Sequence, residues 1–204
     1  MKNNKYYRVY AEINLDAIVK NVDNLMALTK ENTGALAVVK ADGYGHGDVA
    51  VAKAVAQKVT GYAVATLDEA VNLRENGVKK PILVLGYVDP YEFDILVSHE
   101  ITATVFDVET AQLLADAARV QKKQAHCHIK VDTGMRRIGL EPDENGIAIV
   151  RNCPQTAFLH ILRHRMKLTR HRQNISLNYL RILQDVLKKK KSILHTDTVQ
   201  TVRQ

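Results

Sequence analysis

Between residues 35 and 132, five short apolar runs (35–40, 61–65, 82–86, 101–106 and 125–132) alternate with stretches of helical periodicity at near-even intervals. Runs this short, almost continuously apolar, read as strands buried on both faces. The stretches before and between them have the other period. Leu15, Ile18, Val19, Val22, Leu25 and Met26 fall on one helical face, residues 49–59 are rich in alanine and valine, and 91–99 and 108–120 follow suit. Thr66-Leu67-Asp68-Glu69 has the form of a capping box and Asp107 that of an N-cap, both marking helix starts. Strand and helix in regular alternation call for a parallel sheet covered by helices. Short, evenly spaced strands suit a (β/α) barrel, which gathers its functional residues at the carboxyl ends of the strands. Residues 7–13 alternate as a further strand ahead of the first helix.

The end of the first barrel strand carries unusual chemistry. Lys40 closes an apolar run and is followed by Ala41-Asp42-Gly43-Tyr44-Gly45-His46-Gly47. An amine desolvated at such a place loses its proton more readily, which makes it a nucleophile toward an aldehyde. Alternate glycines let backbone approach a ligand, and the Tyr44 hydroxyl is able to bond a phosphate. For Val-Lys-Ala-Asp-Gly alone, a solvent-facing lysine before a flexible turn is the better account. His46 reads as a hydrogen-bonding turn residue.

The full run Ala37-Val38-Val39-Lys40-Ala41-Asp42-Gly43-Tyr44-Gly45-His46-Gly47 resembles the pyridoxal-phosphate attachment motif of the alanine racemases, with Lys40 in the position of the Schiff-base lysine. Two further segments are similar to that family: Ala11-Glu12-Ile13-Asn14-Leu15-Asp16-Ala17, and His128-Ile129-Lys130-Val131-Asp132-Thr133-Gly134-Met135 with Arg137-Ile138-Gly139. The resemblance implies an α/β fold, a partial (β/α)8 TIM-type barrel over residues 1–153. The family's C-terminal β domain, with which the 7–13 strand would belong, is expected to be absent. It also implies pyridoxal 5'-phosphate as cofactor, L- and D-alanine as ligands, D-alanine supply for peptidoglycan as the role, and a homodimer as the family's working form.

Residue roles follow from the same resemblance. Lys40 binds the cofactor and serves as the base on the face from which D-alanine loses its proton; Tyr44 bonds the phosphate. Arg137 takes the substrate carboxylate through its planar fork, and Lys130 matches a lysine that is carbamylated in many members, which would give Arg137 a negative partner. Outside the motif Lys130 would be an ordinary strand-end lysine. Arg136 departs from the family pattern, which has glycine there. Three family elements find no match: the serine of an Asn-Ser-Ala-Ala strand, the arginine facing the pyridine nitrogen, and the tyrosine that serves the opposite face. A non-catalytic pyridoxal-phosphate carrier built on one barrel is the alternative function.

Charge separates the chain into two parts. Residues 1–150 hold 17 Lys+Arg and 20 Asp+Glu, whereas 151–204 hold 12 and 2. A basic tail on an acidic body suits a nucleic-acid or membrane arm, but no aromatic interleaving or known module accompanies it. Residues 154–204 are instead expected to be a poorly structured tail translated out of frame. Shifting the codon register by one base permits Thr-His-Phe followed by Asp-Glu from Ala157 onward, and His-Cys-Ala-Asn-Ser-Ala-Ala near the terminus, both similar to racemase segments. On this reading the barrel stops after five strands, leaves open edges near 36–39 and 129–131, and the fragment is inactive. No run is apolar enough for a signal-peptide core or a membrane span, and Cys127 and Cys153 make no disulfide framework. A cytoplasmic protein is expected. His126-Cys127-His128 lacks the further ligands a metal site needs.

Overall fold

The computed structural model describes residues 9–132, 134–152 and 157–163. Its helices are α1 (Leu15–Ala27), α2 (Asp48–Ala54), α3 (Leu67–Glu75), α4 (Phe93–Ser98), α5 (Val108–Val120) and α6 (Glu144–Asn152). The strands are β1 (Leu36–Val38), β2 (Gly61–Val64), β3 (Ile82–Val84), β4 (Thr102–Val105), β5 (Ala125–Val131) and β6 (Ala157–Arg163). They form one sheet in the order β1-β2-β3-β4-β5-β6, every pair parallel. Each strand thus lies beside the next in sequence with no reversal of order. An open doubly wound sheet reverses at a switch point; an unreversed run is the arc of a (β/α) barrel.

Burial follows the pleat. Val39, Tyr62, Val64, Ile82, Val84, Ala103, Val105, Cys127, Ile129 and Val131 join the main core with Leu73, Leu96 and Leu114 of the helices. The alternate positions Ala63 and Leu83 form a second, smaller cluster with Leu36, Val38 and Leu85. Since neighbouring side chains point to opposite faces of a strand, this second cluster lines the inner face of the arc. Helix starts behave as their sequences require. Asn14 Oδ1 accepts from Ala17 N at 2.9 Å, Asp107 Oδ1 from Thr110 N at 2.6 Å, and Thr66 with Glu69 makes the full capping box.

Two expectations are corrected. Residues 9–13 are not a strand, and Val9 and Tyr10 are exposed; alternation yields a strand only where a partner supplies backbone bonds, and none does so among the described residues. Conversely, β6 extends the arc past five strands. It pairs with β5 over its whole length, from Ala125↔Ala157 to Val131↔Arg163. The edge expected open at 129–131 is therefore covered. Its run of Phe, Leu, Ile and His lacks a clean alternation, yet an unpaired parallel edge accepts any segment of adequate β propensity. The remainder of the tail, residues 164–204, and the frame change expected within it lie outside the described residues. At the other end, β1 has no second neighbour in the described sheet, and its three residues are only partly buried.

Candidate active site

Lys40, close enough to Lys130 of β5 to act on its charge, stands just beyond β1. The chain does not leave the strand through an ordinary turn. Ala41, Asp42, Gly43 and Tyr44 all have φ between 52° and 60° with ψ between 35° and 52°, one complete left-handed turn. Each non-glycine residue in that conformation costs about 1–2 kcal/mol, so three of the four are held against their preference. Several bonds hold them. Gly43 N donates to Val39 O and Gly47 N to Asp42 O, each at 2.9 Å, while Ala41 N donates to Glu69 Oε1 at 2.7 Å. His46 caps the turn, its Nδ1 lying 3.1 Å from the carbonyls of both Gly43 and Tyr44. Gly43 is buried, and a Cβ there would lie 3.2 Å from Asp48 N. The turn presents the Tyr44 ring beside the lysine, with Nζ 6.0 Å from the ring centroid.

Lys130 approaches from β5. It shares one side of that strand with His126 and His128, and its Nζ donates to Leu85 O beyond β3 at 3.2 Å. Burial pushes its amine below the usual lysine range; the Arg137 guanidinium and the Lys40 ammonium push it further, while Asp132 opposes them. Lys40 and Arg137 are therefore both close enough to Lys130 to act on its charge. Burial also lowers His126.

Asp132 offsets this group of cations only in part. Burial alone would raise its carboxyl, but the amides of Gly134, Arg136, Met135 and Arg137 outweigh that and hold it below the ordinary carboxylate range. Gly134 N reaches Oδ1 at 2.7 Å. The carboxylate thus organises the loop that carries Arg137. That loop is closed by Leu140 N to Lys130 O and Asp132 N to Leu140 O, both 2.8 Å. Arg136 sits within it at φ 53°, a left-handed position where glycine costs least, and its side chain is exposed.

Some contributors escaped the sequence reading. Glu69 was legible as a cap but not as a partner of the Lys40 turn. Tyr87 and Phe106, at the ends of β3 and β4, pair with ring centroids 6.3 Å apart; an aromatic residue just past each strand was the available signal. Among the described residues no group of His, Cys, Asp and Glu is placed to hold a metal ion, and no helix is long and apolar enough to cross a membrane.

An arc of parallel strands in unreversed order, with a lysine, a tyrosine and further cations past its carboxyl ends, defines a TIM-type barrel domain. Comparison with known proteins gives the class its family. Residues 13–199 match the family described as "Alanine racemase, N-terminal domain", and the chain belongs to it. It is 45% identical over 141 residues to an alanine racemase of Desulforamulus reducens, covering 69% of this chain and 38% of the relative. Against "Alanine racemase 1" of Bacillus subtilis it is 42% identical over 170 residues, 80% of this chain and 43% of that one. Its fold is similar to a solved alanine racemase of Clostridium difficile 630, with TM-score 0.79, 33% identity, and coverage of 89% of this chain and 50% of that one. A Bacillus anthracis alanine racemase solved with bound L-Ala-P gives TM-score 0.75 at 30% identity, covering 92% of this chain and 50% of the other. The chain spans about two fifths of the length of these curated relatives.

Proposed function

We propose that these residues carry the lysine side of a pyridoxal-phosphate-dependent alanine racemase. The observation that supports this best is the excess of positive charge around Lys130. Lys40 and Arg137 both act on the Lys130 amine, and Asp132, whose carboxylate also accepts from backbone amides, offsets them only in part. Clustered cations repel one another unless an anion joins them. A phosphorylated aldehyde and an amino-acid carboxylate are anions of the fitting kinds, and Lys40 supplies the amine that an aldehyde requires.

When bound, pyridoxal phosphate supplies the electron sink that stabilises a carbanion at the substrate α-carbon. The protein residues do the rest. Lys40 anchors the cofactor through its amine and, once released by the incoming amino group, takes or returns the α-proton on its own face. Tyr44 turns its hydroxyl to the phosphate. Arg137 holds the substrate carboxylate, which fixes the α-carbon in relation to Lys40. The depressed Lys130 amine is a nucleophile suited to carbon dioxide: its lone pair forms the N–C bond, a proton leaves, and the carbamate formed would be a negative partner for Arg137. In this reading the product is D-alanine for peptidoglycan, the setting is the cytoplasm, and a partner subunit in a homodimer provides the base for the opposite face.

The 204 residues alone are expected to bind the cofactor without turnover. The test is to add pyridoxal phosphate to the purified chain, follow the visible absorbance of the lysine-bound cofactor, and assay D-alanine formed from L-alanine. Absorbance that vanishes in Lys40→Ala supports the reading; absorbance that persists in this variant contradicts it. Rapid D-alanine formation by the chain alone would overturn the assignment of only one catalytic face to it.

The unusual composition after residue 153 receives a separate proposal, a change of reading frame near residues 153–156. It is supported by the racemase-like strings that a one-base shift permits. Sequencing the coding DNA decides it, because codons 156–204 read in the other register must yield both strings.

A further inference from the structure

Glu69 is the third residue of α3, where a glutamate ordinarily does no more than return a bond to its own N-cap. Here its carboxylate does more. Oε2 accepts from Ala65 N at 2.7 Å and from Thr66 N at 3.3 Å, while Oε1 reaches 28 residues back to Ala41 N at 2.7 Å. Ala41 directly follows Lys40 and opens the left-handed turn. On the other side of Lys40, Val39 N donates to Ala63 O at 2.9 Å. The two residues flanking the lysine, Val39 and Ala41, are thus both tied through their amides to the single unit formed by β2 and the start of α3. A carboxylate bonded to three amides is a charge-assisted anchor, stronger than neutral bonds of the same geometry.

We propose that Glu69 is a positioning residue for Lys40: its carboxylate clamps the first peptide of the left-handed turn and thereby fixes the direction from which the amine meets its aldehyde. The inference rests on the cofactor reading given above for its consequence, but not for the clamp itself. Without Glu69 the Ala41 amide loses its acceptor, and a turn made of unfavourable conformations loses the bond that opens it. The lysine then samples other directions, and near-attack geometry becomes rarer. Glu69→Gln retains one good acceptor oxygen and is expected to fall between the parent and Glu69→Ala.

Capping and positioning are separated by Thr66→Ala, which breaks the opposite half of the box, Glu69 N to Thr66 Oγ1 at 3.4 Å, and leaves the link to Ala41 in place. Two readouts are taken on the full chain of each variant. Hydrogen exchange at the Ala41 amide, measured without cofactor, is expected to accelerate about tenfold in Glu69→Ala relative to Thr66→Ala. The rate at which pyridoxal phosphate and borohydride fix a label on Lys40 is expected to drop by about the same factor, with Glu69→Gln intermediate in both. Equal exchange at Ala41 in the two alanine variants, or equal labelling rates, would overturn the positioning role. A parent chain that leaves Lys40 unlabelled contradicts the cofactor reading instead, and the exchange comparison still decides whether Glu69 holds the turn.

Discussion

A Cβ placed on Gly139 would lie 2.6 Å from the backbone nitrogen of Asp132. The contact closes the loop that carries Arg137, since Asp132 N also bonds Leu140 O. Gly139 further has φ 138°, so Gly139→Ala meets both a clash and a forbidden conformation. We expect a loss of about 2–4 kcal/mol in urea unfolding. Gly77→Ala is the control: φ is 89° there, but nothing lies within 4 Å of the added carbon, and the expected loss is about 1 kcal/mol. Equal losses would remove the case for a crowded loop closure.

Lys130 leads to a pH prediction. Its amine is held below the usual lysine value in the folded chain by burial, Arg137 and Lys40. Between that lowered value and the ordinary one the unfolded chain binds more protons, so this residue makes stability rise with pH across the window. Lys130→Met removes that contribution. Unfolding free energies measured from neutral to alkaline pH are expected to rise less steeply in the variant than in the parent, and parallel profiles would contradict the shift.

Arg74 is a structural counterpart on α3. Its Nε donates to His99 O at 2.9 Å, Nη1 to Val78 O at 2.8 Å and Lys80 O at 2.7 Å, and Nη2 to Glu100 O at 3.0 Å. One guanidinium thus ties two successive loops together. Burial lowers its pKa, opposed by Glu100, but a guanidinium stays charged. Arg74→Met leaves four carbonyls without this donor and is expected to cost about 2–4 kcal/mol, read by chemical denaturation; a loss within experimental error would mean that water replaces the donor freely.

These residues show where the sequence is readable and where it is not. Strand and helix order came from period alone, because burial on both faces of a parallel strand leaves an apolar run. Asn14, Thr66 and Asp107 announced their helices because capping acts over three residues. Glu69 could be read only halfway, since its bond to Ala41 spans 28 residues. The left-handed turn was hidden for a related reason: Gly43 permits it, but Ala41, Asp42 and Tyr44 have no preference for it, and the bond that opens it comes from the distant Glu69. Residues 9–13 show the converse error, a correct alternation with no partner. β6 shows the same limit again, a strand fixed by the edge of β5 rather than by its own pattern.

Tyr44→Phe tests the phosphate contact apart from the fold. The ring is nearly half exposed at 47%, so loss of its hydroxyl is expected to leave the unfolding midpoint unchanged. Affinity for pyridoxal phosphate, followed by absorbance titration, should weaken by about tenfold or more, as for a hydrogen bond to a charged group. Unchanged affinity would remove Tyr44 from the cofactor site.

The central claim concerns one amine among many. Borohydride reduction of the chain with stoichiometric pyridoxal phosphate, followed by peptide mass spectrometry, reads out which lysine has formed the bond. The account predicts a single dominant label on Lys40. Label on Lys130, or spread evenly over the exposed lysines, would contradict it.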